Sequence, residues 1–525
     1  MLIVDIFPHF PALGVHWRKL SDFWRVLQWP LLSRRLQTGS KETETGIGKM
    51  ENQPGANRLQ ANSIGLAHII FFVVAAAAPM TAVVGATPPA FAFGNGAGVP
   101  GAFILAGILY LLFSVGFTAM TRHISGAGAF YAYITRGLGS PAGIGGALTA
   151  LLAYFAIQIS VFALFAVFVS GFAASLGLDL PWWVWAFAGL VIVVALGRRH
   201  IAVSGVILGL CMIAELVILL VLDLAILAHG GGAAGISVSG FRLSEVFGPG
   251  LGVTMVFVLG SYVGFEATAI FGEEASNPDR TIPRATYIAV ILITAFYAFS
   301  TWAIVQYYGP DKAQAAAAAS LEGFYFAPMQ ALLGGWVVKL ANVLLITSLF
   351  ACLLSFHNTL NRYFYALGHE GLLSSHVTKV HDDHGSPHVA GLVQAALVAT
   401  ILGLFALIGA DPYGVVFSWM SALAVLSIVA VQIMVSVAVI AFFRRDSFGR
   451  SPLVTLVAPV LATLGLMTAF GLVWSNLSML TGSESPIVQA FPVIVVCVAA
   501  SGSLLALRIK RSQPELYARL GRAFD

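Results

Sequence analysis

The feature that most constrains this chain is a recurrence of uncharged apolar runs, many of which reach the roughly 20 residues needed to cross a hydrocarbon core. Only 10% of its 525 residues are charged and 58% are hydrophobic, where a soluble domain averages about 25% charged. A soluble fold of this length would leave much of that apolar surface in water, whereas lipid tails cover it. Backbone polar groups cannot be left open to lipid, so spanning segments are helices or closed barrels. Barrel strands alternate apolar and polar residues over short segments, and these runs do not. The expectation is an all-α integral membrane protein with about twelve transmembrane helices, at 65–93, 99–121, 141–172, 182–197, 202–228, 250–272, 283–308, 335–358, 388–408, 413–443, 453–475 and 488–508.

Charge orients these spans. One set of alternate loops carries Arg122, Arg136, Arg198, Arg199, Arg280, Arg284, Arg362, Lys379, Arg444, Arg445 and Arg450, and the C-terminal tail adds Arg508, Lys510, Arg511, Arg519 and Arg522. The opposite side has little beyond Arg242 and Lys312, with Lys339 just inside the eighth span. Positive loops stay in the cytoplasm, so both termini are expected there. The plasma membrane is the expected location.

Three regions follow: an N-terminal tail over 1–62, a membrane domain over 63–510 and a tail over 511–525. The tail over 1–62 has no apolar segment followed by a small-residue cleavage site, as a signal peptide would have. Its residues 15–36 interleave aromatics with arginines, as an interfacial helix would. Equally, Met50 opens a short polar leader, so 1–49 reads as an upstream start-site extension. The net charge of +4 is small and sits in loops and tails, which speaks for topology and against nucleic-acid binding. Cys211, Cys352 and Cys497 lie inside apolar runs without a CxxC pair, so neither a metal site nor any cofactor is expected.

Two spans carry helix breakers. The first contains Pro79, Gly85, Pro88 and Pro89, and the sixth contains Gly252, Gly260, Gly264 and Gly272. They lie five helices apart. Paired interruptions at matching places in two halves point to an inverted-repeat transporter and its binding site. Breaks are expected near Met80–Val84 and Gly260–Gly264, facing each other.

The run Gly264-Phe265-Glu266, followed by Phe271-Gly272-Glu273-Glu274-Ala275-Ser276-Asn277-Pro278-Asp279-Arg280-Thr281-Ile282-Pro283-Arg284-Ala285, resembles the sixth helix and following loop of the amino acid–polyamine–organocation (APC) superfamily. Ser125 to Tyr133 resembles the segment between its second and third helices. Asn361-Arg362-Tyr363, with Ala366 to Leu373 and Ser386-Pro387, resembles the loop after its eighth. Order and spacing agree over about residues 65–445. The resemblance implies a LeuT-type fold, with two inverted repeats of five helices and then two C-terminal helices. The chain departs from the family in the first helix, where many members have a glycine-serine-glycine-like break and this one has Ala78-Pro79-Met80-Thr81-Ala82-Val83-Val84-Gly85.

A zwitterionic amino acid needs N–H or hydroxyl donors for its carboxylate, which a helix N-terminus supplies, and carbonyls for its ammonium, which an unwound helix exposes. The Thr81 hydroxyl and the amides of Ala82 and Val83 are candidates for the carboxylate, and carbonyls near Pro79, Gly260 and Val263 for the ammonium; Met80 and Gly264, at the two breaks, are counted with the site. Tyr262 and Phe265 flank the second break and would close over the substrate. By analogy of fold, Tyr154, Gln158 and Ser160 of the third helix and Ser418 and Trp419 of the tenth line the site. Each polar residue has a structural alternative as helix–helix glue, and each aromatic as packing.

Glu215 and Glu266 are charges placed mid-span, which belong in the bundle interior; both are candidates for coupling. Burial makes Glu215 a plausible proton carrier, and the alternative is a permanently neutral hydrogen-bonded acid. Glu273 and Glu274 beside Arg280 and Arg284 would form an inner gate of ion pairs, or a solvated network of little weight. Sodium-coupled relatives use hydroxyls on the eighth helix, but Ser348 and Ser355, with His357 and Asn358 below, form no adjacent pair, so a proton is favoured over sodium. The expected function is secondary transport of amino acids, neutral ones above all, or related amines. Exchange in the same fold and solute sensing without transport are the alternatives. An enzyme would show a paired His/Asp/Glu or metal-ligand constellation in the spans, and none appears.

Overall fold

The computed structural model describes residues 65–520 except 122, 125–128, 199–200, 233, 267, 269–274, 276, 381–385 and 482–484. The expected extension over 1–49, the rest of the N-terminal tail, and Glu273 and Glu274 lie outside the described residues. Among the described residues nine helices are long and apolar enough to cross a membrane, and three shorter apolar helices, Thr81–Phe93, Trp182–Gly197 and Leu251–Gly260, complete the set of twelve. We label them α1 (Leu66–Ala77, resuming as Thr81–Phe93), α2 (Val99–Thr121), α3 (Ser140–Ala174), α4 (Trp182–Gly197), α5 (Ile201–Ala228), α6 (Leu251–Gly260), α7 (Pro278–Tyr308), α8 (Gly335–His369), α9 (His388–Leu407), α10 (Pro412–Arg445), α11 (Leu453–Ser475) and α12 (Phe491–Ser512).

α3 is the hub. It packs against α4, α8, α10 and α12, and 83% of its most apolar window is buried, against 33% for α11 and 28% for α12. The last two helices therefore sit at the periphery, with exposed Leu464, Met467, Val493, Val496 and Leu504 suited to lipid. Small residues allow the tightest contacts in a membrane bundle. A Cβ on Gly502 of α12 would lie 2.8 Å from the Gly145 backbone of α3. One on Gly137, in the helix Ala129–Leu138 that precedes α3, would lie 2.2 Å from the Ala438 carbonyl of α10.

Two helices run on beyond the spans expected from apolar length. α8 reaches His369 and α7 begins at Pro278. Pro283 is tolerated there because it lies in the second turn, where few backbone bonds are lost. Between α7 and α8 lie two short helices, the nearly all-alanine Ala313–Ala319 and Phe326–Leu333.

Both expected breaks exist, and their positions have distinct causes. Pro79 lacks an N–H and bars the α conformation at the residue before it. Ala78 leaves the helix at φ 44°, in the left-handed region, and the first half of α1 ends at Ala77. The break thus lies just before the expected Met80–Val84 window. A wide-turned segment, Thr81–Ala86, follows it. Pro88 and Pro89 do not break the helix: they fall where the wide-turned segment Thr81–Ala86 passes into the α-helical Thr87–Phe93, in the first turn of the latter. In α6 the α-helix stops at Gly260, turns run through Gly264, and Gly264 takes φ 113°.

Candidate functional site

Between the two breaks lies a small, partly open cavity of about 50 Å³. α1 contributes Ala77, Thr81, Ala82 and Ala86, and α6 with its turn contributes Val256, Phe257, Gly260, Ser261 and Val263. α3 adds Ile157 and Val161, α8 adds Cys352 and Phe356, and α10 adds Phe417 and Ser421. No wall residue is charged. Of the three wall hydroxyls, Ser261 donates to the Phe257 carbonyl (2.7 Å) and Ser421 pairs with Ser160 (2.7 Å). The Thr81 hydroxyl has no partner. It does not bond back to the preceding turn of its helix, the usual use of a buried threonine.

The backbone around the first break is largely engaged. Ala82 N–H donates to the Ala78 carbonyl (2.9 Å) and Thr81 N–H to Ser348 Oγ (3.3 Å). The Ala77 carbonyl, freed by the break, accepts from the Tyr297 hydroxyl (2.9 Å). The Ala82 amide is thus not free for a carboxylate as the sequence suggested, and Pro79, Met80 and Val83 are buried off the cavity wall. At the second break the Gly260 carbonyl accepts from Val263 N–H (3.1 Å), and both residues line the cavity.

Several side chains expected at the site point elsewhere. The Tyr262 hydroxyl reaches the Phe103 carbonyl (3.1 Å) and Thr294 (2.8 Å) on α2 and α7. The Phe265 ring packs on Tyr110 and Phe113 of α2. Neither lines the cavity; Phe257 and Phe417 do, their rings stacked with centroids 5.9 Å apart. Gln158 is fully buried with its amide unpartnered and Trp419 is half-buried, but Ile157, Val161, Phe417 and Ser421 line the cavity in their stead. Ser160 ties α3 to the Phe417 carbonyl (3.1 Å). Naming a helix without its rotational register picks the wrong face, because each residue turns the side chain by about 100°.

Glu266 is buried behind the second break. It accepts from the Tyr154 hydroxyl (2.6 Å) on α3 and from Gly264 N–H (3.0 Å), so it staples the turn to α3 and not to α1. Arg280 and Arg284 are exposed on the first turns of α7. Glu215, 3% exposed, faces the Ser348 hydroxyl of α8 and the Met80 N–H at the first break. Because Ser348 Oγ accepts from Thr81 N–H, its own hydrogen is directed to the Glu215 carboxyl. One serine therefore joins the cavity wall to the buried acid. Ser355, His357 and Asn358 line no part of the cavity; His357 pairs with Gln394 of α9.

The profile of the family described as "Amino acid permease" matches residues 68–504. Among similar proteins, an uncharacterized transporter of Mycobacterium tuberculosis is 28% identical over 141 residues, 27% of this chain and 31% of the relative. A branched-chain amino acid permease of Lactococcus lactis is 26% identical over 163 residues, 29% of this chain and 31% of the relative. A histidine permease of Saccharomyces cerevisiae is 25% identical over 268 residues, 47% of this chain and 43% of the relative. The chain thus spans less than half the length of each of these relatives. The family profile covers most of its own length, and with broken α1 and α6 in a bundle of twelve helices the chain belongs to the amino acid permease family of the APC superfamily, with its LeuT-type fold.

Proposed function

We propose that this permease carries neutral, apolar amino acids into the cell across the plasma membrane, each with a proton, by alternating access. The observation that carries the reading is the cavity between the two breaks, whose wall is apolar and uncharged and bears a single unpartnered hydroxyl at Thr81. A cationic amine or an acidic side chain placed there would lose its hydration without gaining an opposite charge, at a cost of several kcal/mol. An aliphatic side chain gains about 25 cal/mol per Å² of buried surface. The substrate carboxylate meets Thr81 and the ammonium meets the Gly260 and Val263 carbonyls. The Lactococcus relative, named for branched-chain amino acids, agrees with this class.

Proton coupling is assigned to Glu215, because Ser348 links it to Thr81 and so to the substrate carboxylate. Glu266 positions the turn of α6. Both termini are assigned to the cytoplasm, and Arg280 and Arg284 to the inner mouth, where Glu273 and Glu274 would join them.

The test is uptake by the reconstituted protein of radiolabelled leucine, lysine, glutamate and putrescine under imposed proton or sodium gradients. Leucine uptake driven by protons is expected; uptake confined to a charged substrate, or driven by sodium alone, overturns the reading. Counterflow without net accumulation in the wild type would make the protein an exchanger, and ligand binding without flux a sensor. Thr81→Val keeps shape and removes the hydroxyl. It should weaken leucine binding by about tenfold, as expected for one lost hydrogen bond to a charged group, with thermal stability unchanged. Equal affinity in wild type and variant would remove Thr81 from the site.

A further inference from the structure

Besides Glu215 and Glu266 a further carboxylate lies deep in the bundle, and it does not line the cavity. Asp223 is on α5 eight residues beyond Glu215, about 12 Å along the axis at 1.5 Å per residue, and is 1% exposed. Its Oδ2 accepts from the Ser300 hydroxyl of α7 at 2.5 Å. An unneutralised carboxylate inside a membrane bundle marks an ion or proton path by default. Among the described residues the titratable groups on the elements packed around it are few. α7 presents Tyr297, one turn from Ser300 and close to Glu215. The segment before Phe326–Leu333 presents Tyr325, whose hydroxyl lies 3.1 Å from Thr87 Oγ1 of α1. α8 presents Cys352, on the Glu215 side, and its Lys339 is exposed. On α7 the Ser300 hydroxyl thus holds Asp223, and one turn back the Tyr297 hydroxyl donates to the Ala77 carbonyl at the break in α1, near Glu215.

We propose that Asp223 is a second protonation site of the transport cycle, from which Glu215 is loaded along the α5–α7 seam. This rests on the reading of Glu215 as the coupling acid. In the step, a proton taken from external water by the Asp223 carboxylate leaves it through the Ser300 and Tyr297 hydroxyls and intervening water. It ends on the Glu215 carboxylate. Asp223 returns to its anion, held by Ser300, and no other bond changes. The sequence places Asp223 near the outer end of α5, where external protons arrive first under the topology assigned above.

The experiment measures leucine-driven proton uptake and leucine counterflow in proteoliposomes holding a pH-sensitive dye, for wild type, Asp223→Asn, Ser300→Ala and Glu215→Gln. Asp223→Asn should slow proton uptake near neutral external pH by about tenfold, recover as the outside is acidified and Glu215 is loaded directly, and leave counterflow within about twofold. Ser300→Ala, which keeps the carboxylate, should displace the pH profile and also spare counterflow. A wild-type pH profile in both variants overturns the proposal. So does a loss of uptake and counterflow in equal proportion at every pH, which marks a merely structural pair. If Asp223→Asn fails to fold, the Ser300→Ala profile alone decides by the same criteria. Proton uptake that persists in Glu215→Gln overturns the Glu215 reading itself, whatever Asp223→Asn does.

Discussion

Glu215→Gln should abolish proton-driven accumulation of substrate while leaving binding and counterflow intact. For one proton carried with one neutral substrate, each unit of pH gradient is worth about 1.4 kcal/mol, or about tenfold accumulation. The variant should only equilibrate its substrate across the membrane, so the ratio falls to about one whatever the gradient. The geometry explains why so much rests on one side chain. Glu215 contacts Met80 at the break of α1 and Ser348 of α8, and Ser348 also receives the Thr81 N–H. Protonation turns the charged acceptor that orients the Ser348 hydroxyl into a weaker neutral one, and that change is felt one residue from the unpartnered Thr81 hydroxyl on the cavity wall. Glutamine keeps the volume and can still hydrogen-bond, but it cannot titrate. Accumulation in Glu215→Gln with the wild-type pH dependence would make the residue structural and move the coupling role to Glu266. Glu266 has less reason to serve, since Tyr154 and Gly264 N–H already hold its carboxylate (2.6 and 3.0 Å).

The number of spans and the two breaks were legible in the sequence because both follow from strong local physics. Uncharged length alone defines a span, and Pro79 and Gly264 act on their own backbone. The meeting of Glu215 with the first break and with Ser348 was legible only as helices brought near one another by the resemblance. What stayed hidden was register. Tyr262 and Phe265 read as gates because they flank a break, yet the turn through Gly264 swings both rings onto α2. Phe257 and Phe417 carried no signal, because stacked aromatics in a membrane helix look in sequence like any other packing. The site alone selects them, through contacts between α6 and α10. Asp223 was visible as a charge, but its partner Ser300 lies 77 residues away on another helix, and no local pattern pairs them.

Gly264→Ala should be the most damaging single-carbon change in the site, and Ala78→Gly at the other break should be nearly silent. At φ 113° an alanine Cβ collides with its own backbone. Holding that conformation costs about 1–3 kcal/mol, so the turn will shift to relieve it. The shift cannot stay local. Gly264 N–H donates to Glu266, and the same turn carries Gly260, Ser261 and Val263 on the cavity wall. Uptake is expected to fall by more than about tenfold, with stability lowered by about 1–3 kcal/mol. Ala78 sits at φ 44°, in the left-handed region that a Cβ makes costly. Glycine there relieves that strain but loses about 0.4–1 kcal/mol to greater freedom of the unfolded chain. The two effects nearly cancel, and uptake should stay within about twofold of wild type. Measured thermal stability and leucine uptake of the two purified variants check the contrast. Gly264→Ala with wild-type uptake would mean that transport does not need this turn, and the cavity between the breaks would lose its claim to be the substrate site.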